Sequence, residues 1–143
     1  MTGLWVLVAT LVAATAVGAL LKARNGRVRD AKPAAARELP APVTAALDPA
    51  SAVTLVQIST TFCAPCRHAK AVLAPLAERT AGLHHAELDV TNQPEVAQSL
   101  SVLRTPTTIA LTPDGRELLR VGGVPKGAEL LDALRPHLTT RTS

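Results

Sequence analysis

No charged side chain occurs from Met1 to Leu21, and residues 3–21 form an unbroken run of apolar, small and threonine residues. As a helix this run spans about 28 Å, close to the thickness of a bilayer's hydrocarbon core. Residues 1–21 therefore read as one transmembrane helix, with the lipid bilayer as the partner of residues 3–21. Residues 22–52 read as a basic juxtamembrane segment and a Pro/Ala-rich linker; within them, 31–52 keep no apolar period and contain Pro33, Pro40, Pro42 and Pro49, the pattern of a tether with one helical turn near 43–47. Beyond it, 53–59 is a β-branched run of strand length. Residues 64–79 place Leu73, Leu76 and Ala77 on one helical face, with Pro75 expected to kink the helix. Residues 84–90 read as a second strand, and 94–100 as a short helix opened by proline. Residues 107–111 and 117–121 form two strands joined by the turn Pro113-Asp114-Gly115. Residues 126–138 close the chain as an amphipathic helix with Leu130, Leu131, Leu134 and Leu138 inward.

The order strand, helix, strand, helix, strand, strand, helix predicts an α/β domain over 53–138, followed by a tail at 139–143. A right-handed crossover makes the first two strands parallel, and the tight turn makes the last two a hairpin. The expected architecture is a mixed four-stranded sheet flanked by helices and preceded by one transmembrane helix.

Charge sharpens the reading of the N-terminal helix. The chain has 143 residues and a net charge of +4. The whole excess lies in residues 22–38, where Lys22, Arg24, Arg27, Arg29, Lys32 and Arg37 face only Asp30 and Glu38. A cleaved secretory signal would carry its positive charge before the apolar run, so an uncleaved anchor is the favoured reading. A buried core helix would need more protein than this chain has to cover every face. The basic flank is expected to stay in the cytoplasm, giving an N-out, C-in, single-pass protein; an extracytoplasmic domain is the alternative. Trp5 and Phe62 are the only aromatic residues. Trp5 suits a membrane interface, and so few rings exclude a stacking platform for single-stranded nucleic acid. No nucleic-acid partner is expected.

The chemistry resides in the two cysteines of the chain, Cys63 and Cys66, within Phe62-Cys63-Ala64-Pro65-Cys66. They fall where the first strand of the domain gives way to its first helix. A sulfur there meets unpaired N–H groups and the positive end of the helix dipole, which favours thiolate. Two cysteines at this spacing can close a small ring, as a redox dithiol must, with Cys63 the exposed attacking thiol and Cys66 the resolving one. Zinc would need two of His68, His84, His85 and His137 to converge on the pair, and strand alternation sends His84 and His85 to opposite faces. No metal ligand set is expected. Covalent haem attachment would require a histidine where Arg67 stands.

This stretch resembles the thioredoxin family, whose active site is an aromatic-Cys-x-Pro-Cys motif at the same junction. Thr105-Pro106-Thr107 corresponds to the family's cis-proline segment, and Val121-Gly122-Gly123 to its closing glycine loop; the resemblance covers residues 53–138. It implies a thioredoxin-like fold and a thiol–disulfide oxidoreductase that reduces protein disulfides. It also implies a substrate groove formed by Thr105, Pro106 and Gly122, with Phe62 as an apolar rim. No cofactor beyond the Cys63–Cys66 couple is implied. The partners would be protein disulfides and a reductase or membrane electron donor, and the chain is expected to be monomeric. The sequence departs from the family where a buried aspartate usually stands six residues before the first cysteine; here that position is Gln57, which cannot act as a base. The matching neighbour on the next strand is His85, so Gln57 and His85 are the candidate proton relay. The competing class is a redox-inactive binding or metal-handling module on the same fold.

Overall fold

The computed structural model describes residues 1–31 and 38–138; Lys32, Pro33, Arg37 and the tail 139–143 lie outside the described residues. The chain runs α1 (Thr2–Arg24), β1 (Val28–Asp30), α2 (Ala41–Ala46), β2 (Val53–Ser59), α3 (Ala64–Arg79) and β3 (Leu83–Asp89). It continues with α4 (Pro94–Ser99), β4 (Thr107–Leu111), β5 (Glu117–Gly122) and α5 (Gly127–Leu138). Helix α1 is long and apolar enough to cross a membrane, and none of its residues is buried against the rest of the chain.

The sheet has five strands in the order β1-β5-β4-β2-β3. Only β2 and β3 are parallel, as expected of strands joined by a crossover helix. The fifth strand differs from the four-stranded expectation, and it comes from the basic juxtamembrane segment. Val28, Arg29 and Asp30 pair antiparallel with Val121, Arg120 and Leu119 at the sheet edge. Part of the linker also folds onto the domain. Helix α2 starts after Pro40, with proline in its first turn, and buries Val43 completely. Residues 28–30 and 41–46, which precede the expected start at Val53, thus pack onto the sheet.

Two apolar layers cover the two faces of the sheet. One joins Val53 and Leu55 to Leu73 and Leu76 of α3 and Leu130 and Leu134 of α5. The other joins Val56 and Ile58 to Val43 of α2 and to Val96 and Leu100 around α4. Strand β2 is buried over its whole length, so its period of two deals side chains alternately to the two layers. Gln57 thereby falls on the α3 face. Leu131 and Leu138 are half-buried and Leu130 and Leu134 fully so. Helix α3 continues through Pro75 to Arg79.

Strand directions gather several loops at one end of the sheet. The register pairs Ile58 with Thr107, Thr107 with Gly122, and Val121 with Val28. The end of β2, the start of β4, the end of β5 and the start of β1 therefore share one edge. Helix α1 leaves from that same edge, with only residues 25–27 between its last residue and β1.

Candidate active site

Cys63 caps the N-terminus of α3 and is joined to Cys66 by a disulfide, with an S–S distance of 2.05 Å and Cα atoms 5.2 Å apart. The backbone N–H of Cys66 donates to Cys63 Sγ over 3.2 Å. This first-turn amide, which no helical carbonyl can reach, thus points at Cys63 Sγ, where it would stabilise a thiolate. Both cysteines are nearly covered, Cys63 at 8% exposure and Cys66 at 4%. Phe62, in contrast, is 98% exposed and stands clear of the fold beside them.

The second wall is the segment before β4. The Thr105–Pro106 peptide bond is cis, and Pro106 is buried. Thr105 Oγ1 lies 3.5 Å from Thr60 Oγ1, which links this segment to the loop that carries the cysteines. The Pro106 carbonyl accepts from Gly123 N–H at 2.8 Å. Gly122 sits one strand further from the disulfide, paired with Thr107. Its carbonyl is already engaged, accepting from Gly26 N–H at 2.8 Å and from the Arg104 guanidinium at 3.4 Å. Of the residues expected to line a groove, Thr105 is linked to the cysteine loop through Thr60, Pro106 is hydrogen-bonded to the glycine loop through Gly123, and Gly122 is hydrogen-bonded to Gly26 after α1.

Gln57 and His85 are brought together behind the disulfide. Gln57 is fully buried, and its Nε2 donates to the Cys66 carbonyl at 2.8 Å. Its Oε1 lies 3.0 Å from His85 Nε2. Because the amide nitrogen is committed to Cys66, Oε1 must accept, and His85 must carry its proton on Nε2. Burial pushes the imidazole below its ordinary value of 6.5; Glu87 opposes that shift, while Lys70 and His84 reinforce it. A neutral ring is thus favoured. The chain His85–Gln57–Cys66 ends on a carbonyl oxygen rather than on sulfur, so these bonds orient the first turn of α3. Opposite Gln57 in the register lies Thr108, whose buried hydroxyl has no hydrogen-bond partner among the described residues.

Asp89, Thr91 and Thr61 form a clamp that the sequence reading does not contain. Asp89 Oδ1 accepts from Thr91 N–H at 2.8 Å and from the Thr91 hydroxyl at 2.6 Å. Its Oδ2 accepts from the Thr61 hydroxyl at 3.1 Å, and Thr61 N–H donates to Thr91 Oγ1 at 2.9 Å. The loop immediately before Phe62 and Cys63 is thereby tied to the end of β3. Hydrogen bonds from Thr91 hold the Asp89 carboxyl below the usual carboxylate range. The only sequence signal was an Asp-x-Thr pattern after a strand, which by itself marks a turn.

Comparison with known proteins agrees with this arrangement. The family model described as Thioredoxin matches residues 42–136. Thioredoxins of Mycobacterium bovis and Mycobacterium tuberculosis are 40% identical over 81 residues, 56% of this chain and 69% of theirs. Among solved structures, a mutant thioredoxin from Halobacterium salinarum superposes with a TM-score of 0.55 at 25% identity, covering 62% of this chain and 76% of that one. A thioredoxin from Nicotiana alata gives a TM-score of 0.53 at 28% identity, covering 60% and 73% of the two chains. A disulfide between Cys63 and Cys66 at the N-terminus of a helix, on a sheet of this topology, supports a thiol–disulfide oxidoreductase, and the chain belongs to the thioredoxin family.

Proposed function

We propose that the protein is a membrane-anchored reductase of protein disulfides, held in the bilayer by α1 with its domain on the cytoplasmic side. The observation that carries the catalytic part is the Cys63–Cys66 pair at the N-terminus of α3, on a loop that Thr60 links to Thr105. In the reduced enzyme, Cys63 thiolate attacks one sulfur of a substrate disulfide. A Cys63–substrate bond forms as the substrate S–S bond breaks, and the second substrate sulfur leaves as a thiolate that takes up a proton. Cys66, deprotonated in turn, attacks Cys63 Sγ and releases the first substrate sulfur. The substrate gains two electrons, and Cys63–Cys66 is left as the disulfide recorded in the structure. A reductase or membrane electron carrier must then return two electrons. No other cofactor enters this cycle.

Thr105 makes no backbone hydrogen bond among the described residues, so its main chain can pair with an extended substrate segment as an added strand. Phe62 supplies an apolar rim. Gln57 and His85 fix the turn that presents Cys66. A proton relay from His85 would need a water or a side-chain movement to bridge to the sulfur. The rich basic flank of α1 supports the cytoplasmic placement.

The test is reduction of insulin disulfides by the full chain in detergent, with dithiothreitol as electron donor. Wild type should accelerate precipitation of the insulin chains. Cys63→Ser should abolish the acceleration, and Cys66→Ser should accumulate a mixed disulfide with substrate. A wild-type protein that shows no acceleration and an unremarkable thiol reactivity at Cys63 would instead be a binding module on this fold. Labelling of a cysteine introduced near residue 138 by an impermeant reagent from outside intact cells would reverse the proposed orientation.

A further inference from the structure

Between the last turn of α1, the edge strand β1 and the loop before Pro106 lies an open cleft of about 780 Å³. Lys22, Arg24, Arg27, Arg29, Arg104 and Arg120 line it, without a single acidic residue in the wall. Arg27 and Arg29 flank Val28, whose side chain packs against the core, so the alternation of the strand turns both arginines to the other face. Arg29 stands directly opposite Arg120 in the register, a cross-strand pairing of like charges that opposes folding. Glu117 offsets only Arg120, through two hydrogen bonds of 2.8 and 3.0 Å. The remaining five cations have no acidic partner among the described residues. An anionic ligand would neutralise this pattern.

The surroundings of the cleft say which anion. One wall is Leu21 and Lys22, the point where an uncharged helix of membrane-spanning length first meets charge. At the lip stands Leu103, an apolar side chain left 97% exposed between half-buried Val102 and Arg104. Basic side chains level with the end of a spanning helix, beside a protruding aliphatic residue, match the headgroup layer with its anionic phosphates above and acyl chains below. With α1 in a bilayer, a nucleic acid or an acidic protein would have to approach this cleft from beside the membrane surface.

We propose that this cleft binds the phosphate of an anionic phospholipid headgroup from the leaflet in which α1 ends, with Leu103 dipping into the interface. The proposal rests on the reading of α1 as a membrane anchor. A docked headgroup would bridge α1 to Arg104, two residues before Pro106, and so hold the wall of the active site at the membrane surface.

The test uses the full chain in nanodiscs of phosphatidylcholine with or without phosphatidylglycerol. Native mass spectrometry reads which lipid is retained, and amide hydrogen exchange reads residues 101–104. Wild type should retain phosphatidylglycerol in preference to phosphatidylcholine and show slower exchange at 101–104 only when that lipid is present. Replacing Arg27, Arg29 and Arg104 by glutamine leaves Lys22 and Arg24 to set topology, and should reduce the preference at least about tenfold. The pair Arg27→Gln with Arg29→Gln, both solvent-exposed, gives the same direction if the triple variant misfolds. Equal retention of both lipids by wild type, or an unchanged preference in the folded variant, overturns the proposal. So does inorganic phosphate that displaces the lipid at comparable concentration, since the site would then read a free ion. Alkaline carbonate extraction separates the two layers of the argument. A chain released from membranes by carbonate refutes the anchor and the cleft together, whereas a chain retained but indifferent to lipid class refutes the cleft alone.

Discussion

His85 shows how one substitution in a buried pair changes the chemistry available behind the cysteines. Its imidazole donates from Nε2 to Gln57, and burial depresses its pKa. The unfolded chain therefore binds a proton near pH 6.5 more readily than the folded one. The stability this neutral ring confers is complete above that value and is lost as pH falls through it toward the lower folded pKa. Between about pH 5 and 7 the melting temperature of wild type should fall on acidification. His85→Gln keeps a donor but cannot titrate, so its melting curve should move less over the same range; equal shifts in both proteins would remove His85 from the account. Below that window Asp89 becomes relevant, because a carboxylate whose pKa is lowered loses its contribution as it is protonated. Thr108 gives a second prediction at this scale. Its hydroxyl is buried without a partner, so Thr108→Val keeps the shape and removes an unsatisfied group. Unfolding by denaturant should then cost about 1 kcal/mol more. A destabilised variant would mean that the hydroxyl is bonded in solution, by a water for instance.

Among the elements, those fixed by local pattern agree between sequence and structure, and those fixed by pairing do not. The run at Val53–Ser59, the helix Ala64–Arg79 and the strand Thr107–Leu111 all fall where periodicity and β-branched content place them. The Cys-x-Pro-Cys motif was legible for the same reason, since a strand end and a helix start flank it. Strand β1 offers no such signal: it is three residues long with one apolar residue, Val28, before two charged ones, and its pairing partner lies about ninety residues away. Helix α2 is six residues long and shows its role only through the burial of Val43. The Asp89–Thr91–Thr61 clamp joins residues 28 apart, a link that no spacing rule reveals. If α2 belongs to the domain, Val43→Ala should cost about 2 kcal/mol in unfolding free energy. A change within a few tenths of a kcal/mol would return the segment to the tether that the proline spacing suggests.

For the whole molecule, the connection between α1 and β1 sets where the helix leaves the sheet relative to the cysteines. Gly26 is buried with φ of 76°, in a backbone conformation that favours glycine. A Cβ there would overlap the Val124 carbonyl, and one on Gly123 would overlap the Asn25 side chain. The short connection from α1 to β1 is thus packed onto the glycine loop of β5, although α1 itself buries no residue. From that loop, Gly123 N–H reaches the Pro106 carbonyl, and the Thr105 segment reaches the loop of Cys63. Three interstrand spacings separate β1 from β2, which puts the cysteines about 15 Å sideways from the root of the helix and at the same end of the sheet. With α1 in a bilayer, the disulfide should face the headgroup region, and its natural substrates should be disulfides close to the membrane surface. A lipid carrying a maleimide on its headgroup measures this directly. The reduced full chain in liposomes should be alkylated at Cys63 far faster by the tethered reagent than by a soluble maleimide of equal bulk concentration. A Gly/Ser spacer of about 20 residues between Arg24 and Asn25 allows a mean excursion of about 25 Å. It should dilute the tethered reaction about tenfold or more while leaving the soluble one unchanged. Equal tethered rates with and without the spacer would show that the packed root of α1 does not hold the cysteines at the surface.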